Sequence, residues 1–129
     1  MAHYVAAYDT EAVYSWWQPP DPGKSGYEAR VSYEGEAKQT FLAGARAVAD
    51  VHLQTQTPAT FFIVAKLIDH CGPELRHILD QPDFDLQCHS YTHPDLIAIA
   101  DDEQALRYEL VDSKKCIEDA FGRPVQVDP

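Results

Sequence analysis

Residues 59–64 read Ala-Thr-Phe-Phe-Ile-Val, six residues without a charge. Thr57-Pro58 breaks the segment before them, so the run has a clean start. A continuous apolar run of this length suits a strand of a parallel sheet, covered on both faces. Toward the N-terminus, Phe41, Leu42, Ala45, Val48, Ala49 and Leu53 fall three and four residues apart. That spacing predicts an amphipathic helix over about 34–55. Before it lies a long loop, where Trp16-Trp17 is followed by Pro19, Pro20, Pro22 and Gly23. Residues 3–8 are short and apolar and read as a first buried strand.

Toward the C-terminus, residues 65–70 and 73–79 read as two helical segments, with Pro73 placed for a first turn. Residues 83–88 form a third strand. The loop at 89–95 follows, because Pro94 disfavours helix at His93. A second long helix is predicted over 101–121, with Leu106, Leu110, Ile117 and Phe121 on one stripe. Gly122 caps it, and residues 124–127 open a fourth strand. Strands alternating with helices imply an α/β fold, with parallel strands joined by helical crossovers. A closed barrel of this kind needs roughly 200 residues or more. The chain has 129, so it is expected to be a single, apparently truncated domain over 1–129. Sheet surface left uncovered in this way makes a homo-oligomer an expectation.

The formal charge is −11. Phosphate backbones would repel such a chain, so nucleic acid is not expected as a partner. No apolar run approaches the roughly 20 residues that span a bilayer, so no membrane partner is expected either. The first residues lack the basic start and apolar stretch of a signal peptide. A cytoplasmic location is therefore expected, unless a leader has been removed. Cys71, Cys88 and Cys116 are odd in number and show no paired spacing, so reduced, structural thiols are expected.

Ligand sites of parallel α/β sheets form at the carboxyl ends of strands. Two polar clusters fall there: Asp9-Thr10-Glu11 after the first strand, and His89-Ser90-Tyr91-Thr92-His93 after the third. Two histidines four apart are a weak signal alone, and a carboxylate at a strand end is often only a turn cap. Parallel strands put both clusters on one rim. There, imidazoles and a carboxylate together suit zinc or a similar divalent ion. Trp16 and Trp17 lie in the loop near that rim and are candidate platforms for a sugar ring, or simply packing groups. Tyr91 has the same two readings. Cys88 precedes His89, so its side chain is expected on the opposite face, as a buried thiol. His52, His70 and His77 have no paired acid and are expected at the surface.

The phrase ATFFIV at 59–64, then HSYTHPDL at 89–96, then SKKCIEDAFGRPV at 113–125, resembles the polysaccharide deacetylases. This is the NodB-homology group of carbohydrate esterases. Their histidine motif, H-S/T-x-x-H, is matched by His89-Ser90 and His93. The resemblance implies a partial, distorted (β/α) barrel and metal-dependent hydrolysis of an amide C–N bond, most typically N-deacetylation of an amino-sugar polymer. Small amides or cyclic amides, or a non-catalytic metal-binding module, are the alternatives. It implies His89 and His93 as metal ligands and Asp9 as general base. The family's second adjacent acid is replaced by Thr10. Glu11, one residue further, becomes the candidate third ligand, with Asp9 as the alternative. Trp16, Trp17 and Tyr91 are the candidate substrate contacts, and a carbohydrate or small amide is the expected partner. The family's arginine segment and general-acid histidine would fall beyond Pro129, and no residue here is assigned to those roles.

Overall fold

The computed structural model describes residues 3–127. Four strands, β1 (Ala7–Thr10), β4 (Ala59–Ile63), β5 (Phe84–Cys88) and β6 (Gln126–Val127), form one sheet in the order β1-β4-β5-β6. Every neighbour in it is parallel. Helix α1 (Gly35–Thr55) leads from β1 toward β4, and α2 (Lys66–Leu79) leads from β4 to β5. A third crossover, α3 (Glu103–Arg107) to α4 (Ser113–Phe121), leads from β5 to β6. The sheet is open: β1 and β6 are its edges, and they do not pair with each other among the described residues.

The helices cover one face of the sheet. Phe61, Ile63, Leu86 and Cys88 point into that face and are buried with Leu67, Leu75, Leu79, Ile117 and Phe121. The intervening residues Thr60, Phe62, Asp85 and Gln87 are half-buried or exposed on the other face. The expectation of a strand covered on both faces is therefore corrected. The apolar run at 59–64 arises because Phe62 is apolar on the open face, not because helices lie on both sides.

Helix α2 is broken at Cys71, which has φ −148° and ψ 31°. Pro73 has no N–H and its ring crowds the carbonyl four residues back, so two helical segments meet here, as the sequence predicts. The last crossover is less regular than its apolar stripe suggests. Between α3 and α4, Tyr108–Asp112 forms a π-helical turn.

Two other expectations change. The first strand is Ala7–Thr10 and not residues 3–8, and Tyr4 and Val5 are exposed. Its pairing with β4 fixes the register, with Ala7 opposite Thr60 and Thr10 opposite Ile63. Asp9 and Thr10 therefore lie inside the strand, and only Glu11 stands beyond it. The long loop is also partly ordered by a second sheet, in which β2 (Val13–Tyr14) pairs antiparallel with β3 (Val31–Ser32). His52 is not at the surface. It is buried on α1, with Nε2 2.8 Å from the Tyr8 hydroxyl and Nδ1 2.9 Å from Thr57 Oγ1. His70 is half-buried, stacked on Tyr33 and 3.7 Å from a Glu34 carboxylate oxygen, and His77 is exposed. No described helix is long and apolar enough to cross a membrane.

Candidate metal centre

Strand alternation decides which side chains reach the rim. Thr10 is the last residue of β1 and turns into the helix-covered face, where it is buried and its hydroxyl donates to the Tyr8 carbonyl at 3.2 Å. Glu11 therefore emerges on the open face. Cys88 ends β5 in the same way, buried against the helices with its thiol donating to Ser113 Oγ at 3.0 Å. His89 follows on the open face. Its backbone N–H continues the ladder to the Ile63 carbonyl at 2.8 Å, and its ring lies 6.4 Å from that of Phe62.

The chain then doubles back. Ser90 and His93 both take left-handed backbone conformations, φ 63° and φ 58°. Ser90 Oγ accepts the His93 N–H at 3.1 Å. The turn is tied to the start of α2, where the N–H groups of Ala65 and Lys66 donate to the carbonyls of Ser90 and Tyr91 at 3.0 and 2.9 Å. The result is that Glu11 Oε1 lies 3.2 Å from His89 Nε2 and 3.2 Å from His93 Nε2.

Glu11, His89 and His93 each offer one donor atom, and these atoms all lie within 4.8 Å of one another. With bonds near 2.0–2.1 Å, two neighbouring ligands of a tetrahedral zinc stand roughly 3.4 Å apart. The two 3.2 Å separations match that spacing. Two imidazoles and one carboxylate fit a divalent ion of the zinc type, and three protein ligands leave a position for water or substrate. The three side chains are partly open to solvent, His93 the most so at 38%.

Asp9 lies on the same sheet face as Glu11, is exposed, and stands opposite Phe62 in the β1–β4 register. Trp16 and Trp17 are exposed and pack edge to face on one another, with centroids 5.9 Å apart. Arg30 pins their loop by donating to the Trp16 carbonyl at 3.1 Å. Neither indole has a ring contact with His89 or His93 among the described residues. Tyr91 does not turn toward the histidines. Its hydroxyl donates to the Asp69 carboxylate at 3.0–3.1 Å and its ring stacks on Tyr108, centroids 4.4 Å apart. Of its two readings, these contacts are the ones expected of a packing residue.

Three residues about the site were not foreseen. Tyr27 stacks on His93, with centroids 4.5 Å apart, and its hydroxyl accepts the Ala12 N–H at 3.1 Å. Burial, then the nearby Tyr33 and Glu11, push the Tyr27 hydroxyl well above the usual phenol range, so it stays protonated. Tyr33 is raised too, first by burial and then by Glu28, Glu11 and Glu109. Glu109, in the π turn, is buried behind the histidine loop, and its carboxylate accepts the N–H groups of Tyr91 and Thr92 at 2.7 and 2.9 Å. Nothing local in the sequence marks these contacts, which join segments far apart in the chain.

The family model described as Polysaccharide deacetylase matches residues 40–127. The chain belongs to the polysaccharide deacetylase family. The matched segment runs from α1 to β6 and includes His89 and His93, while Asp9 and Glu11 precede it. Membership brings the hydrolase chemistry of carbohydrate deacetylases, which acts on amide bonds. No curated protein and no solved structure matches the chain significantly.

Proposed function

We propose that this polysaccharide deacetylase-family chain hydrolyses the N-acetyl amide of an amino sugar with a divalent ion, zinc by preference, held by Glu11, His89 and His93. The observation that carries this reading is Glu11 Oε1 standing 3.2 Å from both imidazole Nε2 atoms. In this reading the open parallel sheet is of the distorted (β/α) barrel type, with the site at the carboxyl ends of β1 and β5.

The bound ion supplies a polarised acetyl carbonyl and a more acidic water. The chain's own residues would hold that ion and take up the proton of the water. Thr10 faces the core, so the acid-x-acid order of Asp9 and Glu11 places two carboxylates on one face, and the usual adjacent pair is not needed. Glu11 holds the cation. Asp9, open to solvent on that face, accepts the proton of the attacking water at its carboxylate, the contribution of a general base. Tyr27 fixes the plane of the His93 ring. The exposed indoles of Trp16 and Trp17 offer flat apolar faces to a pyranose ring beyond the reacting residue.

The test is zinc titration of the metal-free protein, followed by an assay of acetate release from N-acetylglucosamine oligomers. One zinc per chain, lost in His89→Ala, with zinc-dependent acetate release, is the expected result. No binding of zinc, manganese or cobalt by the wild-type protein would overturn the metal reading. Zinc binding with hydrolysis of small cyclic amides but not of the oligomers would overturn the sugar reading.

A further inference from the structure

The histidine loop has an unusual backbone. Two of its five residues, Ser90 and His93, are left-handed without being glycine. Such a loop holds its shape only where its surroundings fix it. Glu109 does so from a distance of 16 residues after His93 in the chain. Its Oε2 accepts the N–H groups of both residues between the two left-handed positions, Tyr91 at 2.7 Å and Thr92 at 2.9 Å. Its Oε1 accepts the Thr92 hydroxyl at 2.6 Å. One carboxylate thus takes up two consecutive backbone amides and the side chain beside His93.

The π turn Tyr108–Asp112 carries this carboxylate to the loop. Wide turns of this kind insert a residue into a helix and shift the face that its side chains occupy. The turn is itself tied to β5. Ser113 Oγ donates to the Glu109 carbonyl at 2.5 Å and accepts the Cys88 thiol at 3.0 Å. Cys88 immediately precedes His89. Glu109 is therefore joined to the histidine loop at both ends: through Cys88 before His89, and through Thr92 before His93.

We propose that Glu109 is a positioning residue for the metal centre. It sets the distance between the two imidazoles by holding the Tyr91 and Thr92 amides, and so governs affinity for the ion without touching it. This inference rests on the proposed metal site. The loop-holding carboxylate is an outer partner of two ligands, and the loss of such partners costs roughly 10–100-fold in metal affinity.

The experiment is zinc titration against a chromophoric chelator for the wild-type protein, Glu109→Ala, Glu109→Gln, Glu109→Asp and, as a stability control, Leu75→Ala. Circular dichroism and thermal unfolding are followed for each. Leu75 is a fully buried core residue of α2 away from the loop. Glu109→Ala is expected to lower zinc affinity by about 10–100-fold while the fold is retained. Glu109→Gln keeps one oxygen for the two amides and is expected to remain within a few-fold of wild type. Glu109→Asp keeps the charge but falls short of the loop, and is expected to lose affinity. Leu75→Ala is expected to lower the melting temperature and leave affinity unchanged. Equal affinity in the folded Glu109 variants would overturn the inference. If Glu109→Ala does not fold, equal affinity of the Gln and Asp variants would do so. Loss of affinity in Leu75→Ala matching that in the Glu109 variants would reduce the effect to general stability and overturn it as well. Failure of the wild-type protein to bind zinc would instead remove the metal reading beneath it.

Discussion

Tyr27 lies nearly flat on His93, with ring centroids 4.5 Å apart and planes 26° from parallel. The contact joins the segment before β3 to the loop after β5, and it covers one face of an imidazole that is still 38% exposed. An aromatic pair of this kind contributes about 0.5–1.5 kcal/mol beyond its buried area. Tyr27→Phe keeps the stack and is expected to leave zinc affinity within about two-fold. Tyr27→Ala is expected to weaken it by roughly 3–10-fold, in line with that contribution. Calorimetric titration of both variants checks this, and equal affinities would mean that the stack does not orient His93.

Among the described residues, Glu11 is the acid that stands 3.2 Å from both histidines. Glu11→Gln keeps the shape but removes the charge. It is expected to reduce zinc affinity far more than Asp9→Asn, which leaves the three-ligand set intact. Asp9→Asn should instead lose hydrolysis, by about 10²–10⁴-fold as for a general base, with zinc still bound. Parallel metal titrations and acetate assays separate the two roles. Loss of zinc in Asp9→Asn with retention in Glu11→Gln would exchange them.

The interior thiol of Cys71 gives a stability that depends on alkaline pH. Burial, with a smaller contribution from Glu74, pushes it up from the ordinary 9.0 to about 11. Between those values an unfolded chain has released this proton while the folded chain still holds it, so the unfolded state binds fewer protons. Stability is then fully present below about pH 9 and falls as pH rises toward 11. Urea unfolding of the metal-free protein from pH 8 to pH 11 is expected to show this decline. It is expected to be shallower in Cys71→Ala, and identical slopes in the two proteins would refute it.

His52 bridges α1, β1 and the Thr57 turn from inside the molecule. Removing it leaves the Tyr8 hydroxyl and a small cavity behind. His52→Ala is expected to cost about 2–4 kcal/mol, and so to lower the melting temperature by roughly 10 °C. Scanning calorimetry measures this. A shift under about 2 °C would place His52 among surface residues after all.

Much of the fold was legible because its signals are local. The spacing from Phe41 to Leu53 gave α1, Pro73 marked the break in α2, and the apolar run at 59–64 gave β4. The rim position of His89, His93 and Glu11 was legible too, since parallel strands put their carboxyl ends on one side. Three features were not. The start of β1 depends on its register with β4, which no residue of 3–10 encodes. The burial of His52 depends on Tyr8, 44 positions away. The π turn leaves no mark on a stripe of leucines, because its effect is to move Glu109, a polar residue, into a place that only the histidine loop defines. Tyr27 escaped notice for the same reason: a loop tyrosine becomes part of the site only through a partner far along the chain.

The sheet divides its labour residue by residue. Phe61, Ile63, Leu86 and Cys88 support the helices, while Asp9, Thr60, Phe62, Asp85 and Gln87 have few packing duties. Every second position is thus open to substitution at little expense to the core. A lineage built on such strands can retune what its open face accommodates, one alternate residue at a time, while the scaffold beneath stays the same.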